Sequence, residues 1–598
     1  MSEPDDNSPL TWTEDGRPRS RLFGDVYFSA EDGLAEARAV FLTGCGLPER
    51  WAGRRRFVVA ELGFGTGLNI LALLELWRRA RPAGGQLHVF SVEAYPISRE
   101  EAARALSAWP ELADLSARLL AQWPGKACGL HRIDLPELGA VLDVAHLEAA
   151  EALTGWSGPA DAWFLDGFAP SANPQMWREE VLGLVAARSA PGATAATFTV
   201  AGAVRRGLQA AGFEVAKRPG FGGKRERLEA WRAGEPRDPP IPRVAIVGGG
   251  IAGASAARAL AVLGVEAVLV DEARPAGGGF THPAALVTPR LDAGLGPLAQ
   301  IAAQAFRRAV GLYERLDGAV RSRGVLQLAA QLRDVRRFET IAASGLFNPG
   351  ELAVLPPEAV SDRLGEPGPQ ALEQRSALVI DPRAPLSAWS PHKIDGRVER
   401  LMREGRVWRL EDAGGRLLVE ADAVVLAAAL DCARLVPGLP LSPVRGQASW
   451  AQGVSIPQAA AWGGYAVPTG DGVLYGATHD REAAGTELRP ADDARNLELV
   501  RRALPLLAAR LEGRPLQSRA GVRAVTPDRL PMAGPAPGAE GLFLLCGFGS
   551  RGFAFAPLLA EHVAAQIAGA PSPLPAPLAA LVDPERFARR AARSGRSG

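Results

Sequence analysis

ELGFGTGLNILALLEL, residues 61–76, follows the apolar run Phe57-Val58-Val59-Ala60 and leads into an apolar-periodic segment. The pattern predicts a strand, a glycine turn and a helix spanning Leu68 to Arg81. Such a turn holds a ligand against bare backbone, because glycine has no Cβ to keep it away. A second stretch of the same kind, VAIVGGGIAGASAARAL, occupies residues 244–260. Two such turns predict an α/β chain with two separate ligand sites.

The chain has 598 residues, too many for one core, and predicts two to four domains. Hydrophobic residues make up 47% and charged residues 22%, a globular composition. The net charge of +1 gives no global field, so any polyanion has to be met by a local patch. Cys45, Cys128, Cys432 and Cys546 are scattered, with no CxxC pair and no Cys/His metal-ligand spacing. This predicts a reduced, cytoplasmic protein without a metal centre. The N-terminus, MSEPDDNSPL, is unlike a signal peptide. The low-charge run from Val244 to Val270 contains glycines and Glu266, which suit a strand–turn–helix–strand better than a membrane span. No membrane association and no obligate protein partner are expected.

AGEPRDPPIPR, residues 233–243, carries four prolines and four charges and reads as a linker. The expected division is 1–234 for the first domain, 235–242 for the linker and 243–598 for the second domain. The tail RFARRAARSGRSG, residues 586–598, is expected to be unstructured and solvated, an RNA-touching arm being the alternative.

In the first block, Gly63, Gly65 and Gly67 precede a helix whose N-terminal amides attract anionic groups. The next strand, Leu87 to Val92, ends in Glu93, placed to accept hydrogen bonds from ribose hydroxyls. S-adenosylmethionine and dinucleotide sites both use such an acid, and a structural turn shares the pattern. A later strand, Ala162 to Leu165, ends in Asp166, followed by GFAP. An acceptor amine must lose a proton to attack a methyl group, and a carboxylate can orient it and take that proton. Capping a turn is the other role open to Asp166.

Four ordered motifs carry a family resemblance: FGDVYFSAEDGLAEARAVFL (23–42), ELGFGTGLN (61–69), DAWFLDGFAPSANPQMW (161–177) and GFGGKRERLEAW (220–231). Over most of residues 10–231 the chain resembles the methyltransferase half of the bifunctional tRNA 5-methylaminomethyl-2-thiouridine biosynthesis (MnmC) family. The resemblance implies methylation of an aminomethyl group on the wobble uridine of tRNA. It implies that Gly63, Gly65, Gly67 and Glu93 hold S-adenosyl-L-methionine, that Glu148 lies at the adenine, and that Asp166 lies at the acceptor. The chain departs from the family pattern at Gly24 and at Leu147-Glu148.

In the second block, Gly248, Gly250 and Gly253 complete GxGxxG, and Asp271 ends the strand Ala267 to Val270. This spacing does not separate FAD from NAD. The segments GVRAVTPDRLPMAGP (521–535) and GLFLLCGFGSRGFAFAPLLAEHVAAQI (541–567) resemble the closing part of glycine oxidase-like and D-amino-acid oxidase-like flavoproteins, which implies FAD. There Gly549 and Gly552 precede a helix whose positive end faces the flavin. PVRGQ (443–447) and GGYAVPTGDGVLYGAT (463–478) suggest a sheet-rich α+β substrate part, roughly 325–390 and 445–520.

The order of these pieces over residues 243–590 resembles the oxidoreductase half of the same family. It implies FAD-dependent removal of the carboxymethyl group from 5-carboxymethylaminomethyl-(2-thio)uridine. Arg523 matches a carboxylate-binding arginine, and Arg551 is a second candidate; a structural ion pair is the alternative for each. The chain departs from the family loop at Gly277 to Pro283, where Phe280 and His282 stand.

The expected fold is thus a Rossmann-like S-adenosylmethionine methyltransferase domain, then a Rossmann-type FAD-binding domain with the substrate part inserted. Oxidation exposes an amine and methylation consumes it, so two turns serve consecutive steps on one nucleotide. The competing readings are an amino-acid oxidase fused to an N-methyltransferase, and a tRNA-binding protein with a decayed active site.

Overall fold

The computed structural model describes residues 8–29, 31–238, 240–272, 282–390 and 392–594. The chain forms two compact units. Unit 1 holds residues 1–240, 262–264 and 569–576, and unit 2 holds 241–261, 265–568 and 577–598. No helix among the described residues is long and apolar enough to cross a membrane.

Unit 1 is built on one eight-stranded sheet. Its strands are β1 (Arg56–Leu62), β2 (Gln86–Val92), β3 (Gly129–Leu135), β4 (Ala140–His146), β5 (Ala160–Leu165), β6 (Ser189–Thr197), β7 (Glu214–Pro219) and β8 (Glu226–Trp231). Their order is β3-β4-β2-β1-β5-β6-β8-β7, with the central five parallel and both edges antiparallel. Strand β1 shows why the sequence forms this sheet. Phe57 and Val59 enter one core, while Val58, Ala60 and Leu62 enter the other. A strand covered on both faces reads as a continuous apolar run.

After β1 the chain turns through Gly63 and enters α1 (Leu68–Ala80). This helix buries Ile70, Leu71, Leu74 and Trp77. The Trp77 indole also donates to the Leu138 carbonyl at 2.8 Å. Truncating a buried aromatic of this kind costs about 3–5 kcal/mol. Helix α2 (Ala149–Gly155) follows β4.

Unit 2 has two main sheets. The first starts with β9 (Val244–Val247), crosses over by α3 (Ile251–Val262, whose last residue belongs to unit 1) and continues in parallel with β10 (Ala267–Asp271). Strands Lys393–Asp395 and Ala423–Leu426 flank this pair in parallel. The second sheet has ten strands among the described residues and is largely antiparallel. Its segments run from Ala285–Val287 to Leu516–Val525, beyond both windows expected from the sequence. Three of them carry the site: β11 (Ser442–Gln452), β12 (Asp480–Arg481) and β13 (Leu516–Val525). Strand β14 (Leu542–Cys546) returns to the first sheet beside Ala423–Leu426 and leads to α4 (Gly552–Ala568).

One expectation about the connecting segments needs revision. The tail is helical from Arg586 to Ser594, not unstructured. Arg586 is buried and pairs with Asp528 at 2.9 Å, a partner 58 residues upstream. The linker has neither helix nor strand, yet Asp238 within it accepts from Arg54 at 2.7 Å and from the Arg55 N–H at 2.6 Å.

Candidate active sites

In unit 1, chain order reverses between β1 and β5, and the site lies at their carboxyl ends. Gly63 has φ +92°, and a Cβ there would come within 3.1 Å of the Asp166 carbonyl oxygen. Only glycine lets these two strand ends approach so closely. Gly65 and Gly67 also have positive φ, and a Cβ on Gly65 would press on the Tyr27 ring. No side chain caps the start of α1, so its first-turn amides are left to a ligand. Glu93 ties the turn to the tip of β2, accepting from the Gly65 N–H at 2.9 Å and the Tyr95 N–H at 2.8 Å. Burial raises its pKa. The bare amides and this acid fit S-adenosylmethionine.

Asp166 follows β5 and accepts from the Asn69 amide at 2.8 Å and the Gly167 N–H at 2.8 Å. Burial pushes its pKa up to about 6, against those two donors. The same Asn69 amide reaches Glu61 at 3.1 Å, and Ser91 Oγ donates to Glu61 at 2.5 Å. Burial holds Glu61 well above the ordinary carboxylate range. Around Asp166, Phe168 contacts Phe23 at 4.9 Å and Tyr27 at 5.2 Å between centroids, and Phe23 contacts Tyr95 at 5.6 Å. Asp25 holds the loop after Asp166 by accepting from the Ala169 N–H at 3.2 Å.

Asn69, Phe23, Tyr27 and Tyr95 were not singled out from sequence, although Asn69 stands inside the glycine motif. Glu148 is exposed and caps α2 through the Ala150 N–H at 2.9 Å, while pairing with Arg178 at 3.3 Å. Leu147 leans into the core beside it.

In unit 2, Gly248 has φ +106°, and a Cβ there would come within 2.7 Å of the Ala427 carbonyl oxygen. A Cβ on Gly250 would meet open space, whereas one on Gly253 would collide with the Gly248 carbonyl oxygen. The turn is therefore closed toward the protein and open toward a ligand. Asp271 at the end of β10 lies beside Lys393 Nζ at 3.2 Å. A Cβ on Gly552 would stand 3.2 Å from Ile251, so the starts of α3 and α4 adjoin. Two glycine turns with adjoining helix starts fit a dinucleotide such as FAD. Gly549 fixes the second turn by donating to the Ala524 carbonyl at 3.0 Å.

The substrate face follows from strand register. Arg481, Val444 and Arg523 lie in one row across β12, β11 and β13, so the two arginines share a face. Arg519 shares it, four residues along β13. Its row continues through Ala448 and Gly476 to Tyr465. Arg523 is largely buried, lies against the bare backbone of Gly446, and donates to the Thr478 carbonyl at 3.3 Å. No carboxylate pairs with it among the described residues. His282 sits close enough to Arg523 and Arg519 to feel both; burial and these cations lower its pKa to about 4. Its Nδ1 is buried without a hydrogen-bond partner.

Arg551 precedes α4, donates to the Pro289 carbonyl at 3.1 Å and has no carboxylate partner among the described residues. Burial, then Arg290 and Arg337, lower its pKa to about 10. Residues Gly277 to Thr281 of the departing loop lie outside the described residues.

Comparison with known proteins agrees with both halves. A family model for FAD dependent oxidoreductases matches residues 243–566, and one for S-adenosyl-L-methionine-dependent methyltransferases matches residues 110–233. The tRNA 5-methylaminomethyl-2-thiouridine biosynthesis bifunctional protein MnmC of Caulobacter sp. (strain K31) is 57% identical over 601 residues, covering 99% of each chain. The protein of the same name from Maricaulis maris is 44% identical, covering 99% of this chain and 98% of its own. Among solved structures, L-proline dehydrogenase from P. horikoshii is 17% identical and covers 59% of this chain and 99% of its own at a TM-score of 0.50, a likeness of fold alone. The chain is a bifunctional enzyme with an S-adenosyl-L-methionine-dependent methyltransferase half and an FAD-dependent oxidoreductase half. It belongs to the MnmC family of tRNA 5-methylaminomethyl-2-thiouridine biosynthesis bifunctional proteins.

Proposed function

We propose that the chain acts in the cytoplasm on the wobble uridine of tRNA, in two steps. Unit 2 removes the carboxymethyl group from 5-carboxymethylaminomethyl-(2-thio)uridine, and unit 1 methylates the amine so exposed. The observation that carries this reading is the end-to-end likeness to the Caulobacter relative, which includes both halves. The working division stays at 1–234, 235–242 and 243–598.

In unit 2, Arg523 binds the substrate carboxylate through its planar two-donor fork. FAD, when bound, supplies the acceptor for the two electrons of the carbon–nitrogen oxidation. The nitrogen must be neutral for its neighbouring carbon to lose hydride. Arg523 and Arg519 favour that state, because nearby cations disfavour an ammonium. Hydride leaves the carbon that bears the carboxylate, and the resulting imine takes up one water to give the aminomethyl nucleoside and a two-carbon aldehyde acid that departs from Arg523. Gly248, Gly250, Gly253, Asp271, Gly549 and Gly552 are the residues that would hold FAD, and Arg551 lies at its edge of the site.

In unit 1, Gly63, Gly65, Gly67 and Glu93 would hold S-adenosylmethionine, which supplies the methyl group when bound; Glu148 is kept for the adenine end. Phe23, Tyr27 and Phe168 offer faces on which a base can stack. Asp166 orients the acceptor amine and takes its proton. A pKa near 6 leaves it ionised at neutral pH and makes it a stronger base than an ordinary aspartate.

The test is mass spectrometry of nucleosides from carboxymethylaminomethyl-uridine tRNA incubated with the full chain. FAD alone should yield the aminomethyl nucleoside, and added S-adenosylmethionine the methylaminomethyl one. Flavin reduction by a free amino acid but not by this tRNA would favour the amino-acid oxidase reading instead.

A further inference from the structure

Four arginines beyond the carboxylate site gather at the mouth of unit 2. Three consecutive backbone positions bring some of them together. Arg551 donates to the Pro289 carbonyl at 3.1 Å, and Arg337 donates to the Leu291 carbonyl at 2.6 Å. Arg290, between them, donates to the Arg529 carbonyl at 3.4 Å. Arg337, Arg290 and Arg529 are three of the four; the fourth, Arg481, shares its sheet row with Arg523. His479, one residue after the carbonyl that Arg523 touches, feels Arg523, Arg481 and Arg529 together.

These arginines are not held by acids. Asp480, next to Arg481, is taken by Arg495 at 3.0 Å and Arg445 at 3.7 Å. Asp528, next to Arg529, is taken by Arg590 at 2.6 Å and Arg586 at 2.9 Å. Neither Arg290, Arg337, Arg481 nor Arg529 has an ion pair among the described residues. Arg337, Arg481 and Arg529 are exposed. Elsewhere on this chain the surface arginines are commonly paired, as Arg397, Arg434 and Arg501 are.

One substrate carboxylate needs one guanidinium fork, and Arg523 already offers it. A further group of unpaired cations at the mouth calls for anions that lie outside the pocket and are spaced along a chain. We infer that Arg290, Arg337, Arg481 and Arg529 form a rim that grips the phosphates flanking the modified nucleotide, so that the oxidoreductase unit holds a nucleic-acid backbone as well as a nucleoside. This rests on the tRNA reading above. It explains how a chain with a net charge of +1 meets a polyanion: the charge is concentrated where acids next in sequence are turned away to other partners.

The test uses the full-length flavin-loaded enzyme and two substrates. One is carboxymethylaminomethyl-uridine tRNA; the other is the free carboxymethylaminomethyl-uridine nucleoside, which has no phosphate. In the triple variant Arg337→Gln/Arg481→Gln/Arg529→Gln, the ratio of KM for tRNA to KM for nucleoside should rise at least about tenfold, since three contacts to phosphate are removed. The log–log salt dependence of tRNA binding should flatten by about 0.7 per lost contact, or about 2 in all. The matching triple lysine variant should keep most of that slope, because lysine keeps the charge.

A ratio and slope equal to the parent's would overturn the rim while leaving the tRNA reading standing. An equal rise in both KM values would place the arginines in the nucleoside pocket and overturn it too. Lysine variants that lose slope as the glutamine variants do would show a loss of shape rather than of charge, against the proposal. If tRNA fails to reduce the flavin of the parent enzyme, the tRNA reading falls and the rim with it.

Discussion

Asn69 Nδ2 donates to Asp166 Oδ2 at 2.8 Å and to Glu61 Oε1 at 3.1 Å, so one amide spans a half-buried and a buried carboxyl group. Its donation stabilises the ionised form of Asp166 against the burial that opposes it. Asn69→Ala should therefore move the acidic limb of the methylation pH–rate profile upward and slow turnover at pH 7 by at least about tenfold, the worth of one hydrogen bond to a charged group. Flavin reduction should not change. A profile that overlays the parent's would remove Asn69 from any role at the acceptor.

Asp166 itself trades stability for chemistry. Its folded pKa, about 6, lies above its ordinary value of 3.8. Between these two pH values the folded chain binds more protons than the unfolded chain, so stability falls as pH rises through that window and stays lower above it. Asp166→Asn cannot ionise. It should abolish methylation by roughly a hundredfold or more, yet melt higher than the parent at pH 7.5. The difference should shrink at pH 4.5. Calorimetry at the two pH values checks this, and a variant that melts lower at both would contradict the burial argument.

Arg523→Ala should slow tRNA-dependent flavin reduction by at least about tenfold, since charge-assisted hydrogen bonds to a carboxylate are worth roughly 1.5–3 kcal/mol. FAD should stay bound, and pre-formed aminomethyl-uridine tRNA, which lacks the carboxylate, should still be methylated. Arg523→Lys should recover part of the rate, a point charge being a poor copy of a two-donor fork. Stopped-flow flavin bleaching measures both. Normal reduction by the alanine variant would pass the role to Arg551.

Residues 1–240 alone contain the whole Glu61–Asn69–Asp166 network and should bind S-adenosylmethionine and methylate aminomethyl-uridine tRNA. They lack residues 262–264 and 569–576, which belong to the same unit; the second segment donates from the Ser572 N–H to Ser157 at 2.9 Å. Losing this hydrogen bond and the Pro571 contact at Gly158 should cost about 1–2 kcal/mol, a few degrees in Tm. A soluble fragment that binds the methyl donor and never methylates would sink the substrate assignment for this half.

The strands, both glycine turns and the acids at the strand tips were legible because they rest on local periodicity and short spacings. Asn69 was not, because an asparagine in the first turn of a helix looks the same whether or not its amide meets a carboxylate 97 residues away. Arg586 misled for the same reason. A basic, small-residue tail reads as solvated until Asp528 is known to lie beside it. The register of β12, β11 and β13, which sets Arg481 and Arg523 on one face, depends on pairings across 37 and 79 residues. The proline-rich linker showed its lack of helix and strand in sequence, but not the hold of Asp238 on Arg54.

Folding leaves Arg523 and Arg551 largely buried and without a counter-charge among the described residues. Unit 2 therefore folds against a desolvation cost at both cations, to which Arg290 and Arg337 add repulsion at Arg551, and it relieves neither itself. An anion that meets these groups binds the folded chain and not the unfolded one, so it must raise the melting temperature; at a hundred times its Kd the gain is about 2.7 kcal/mol. Occupancy can then be followed by heat alone, with no turnover and no flavin signal, and small carboxylates can be ranked by the temperature to which they carry the unit.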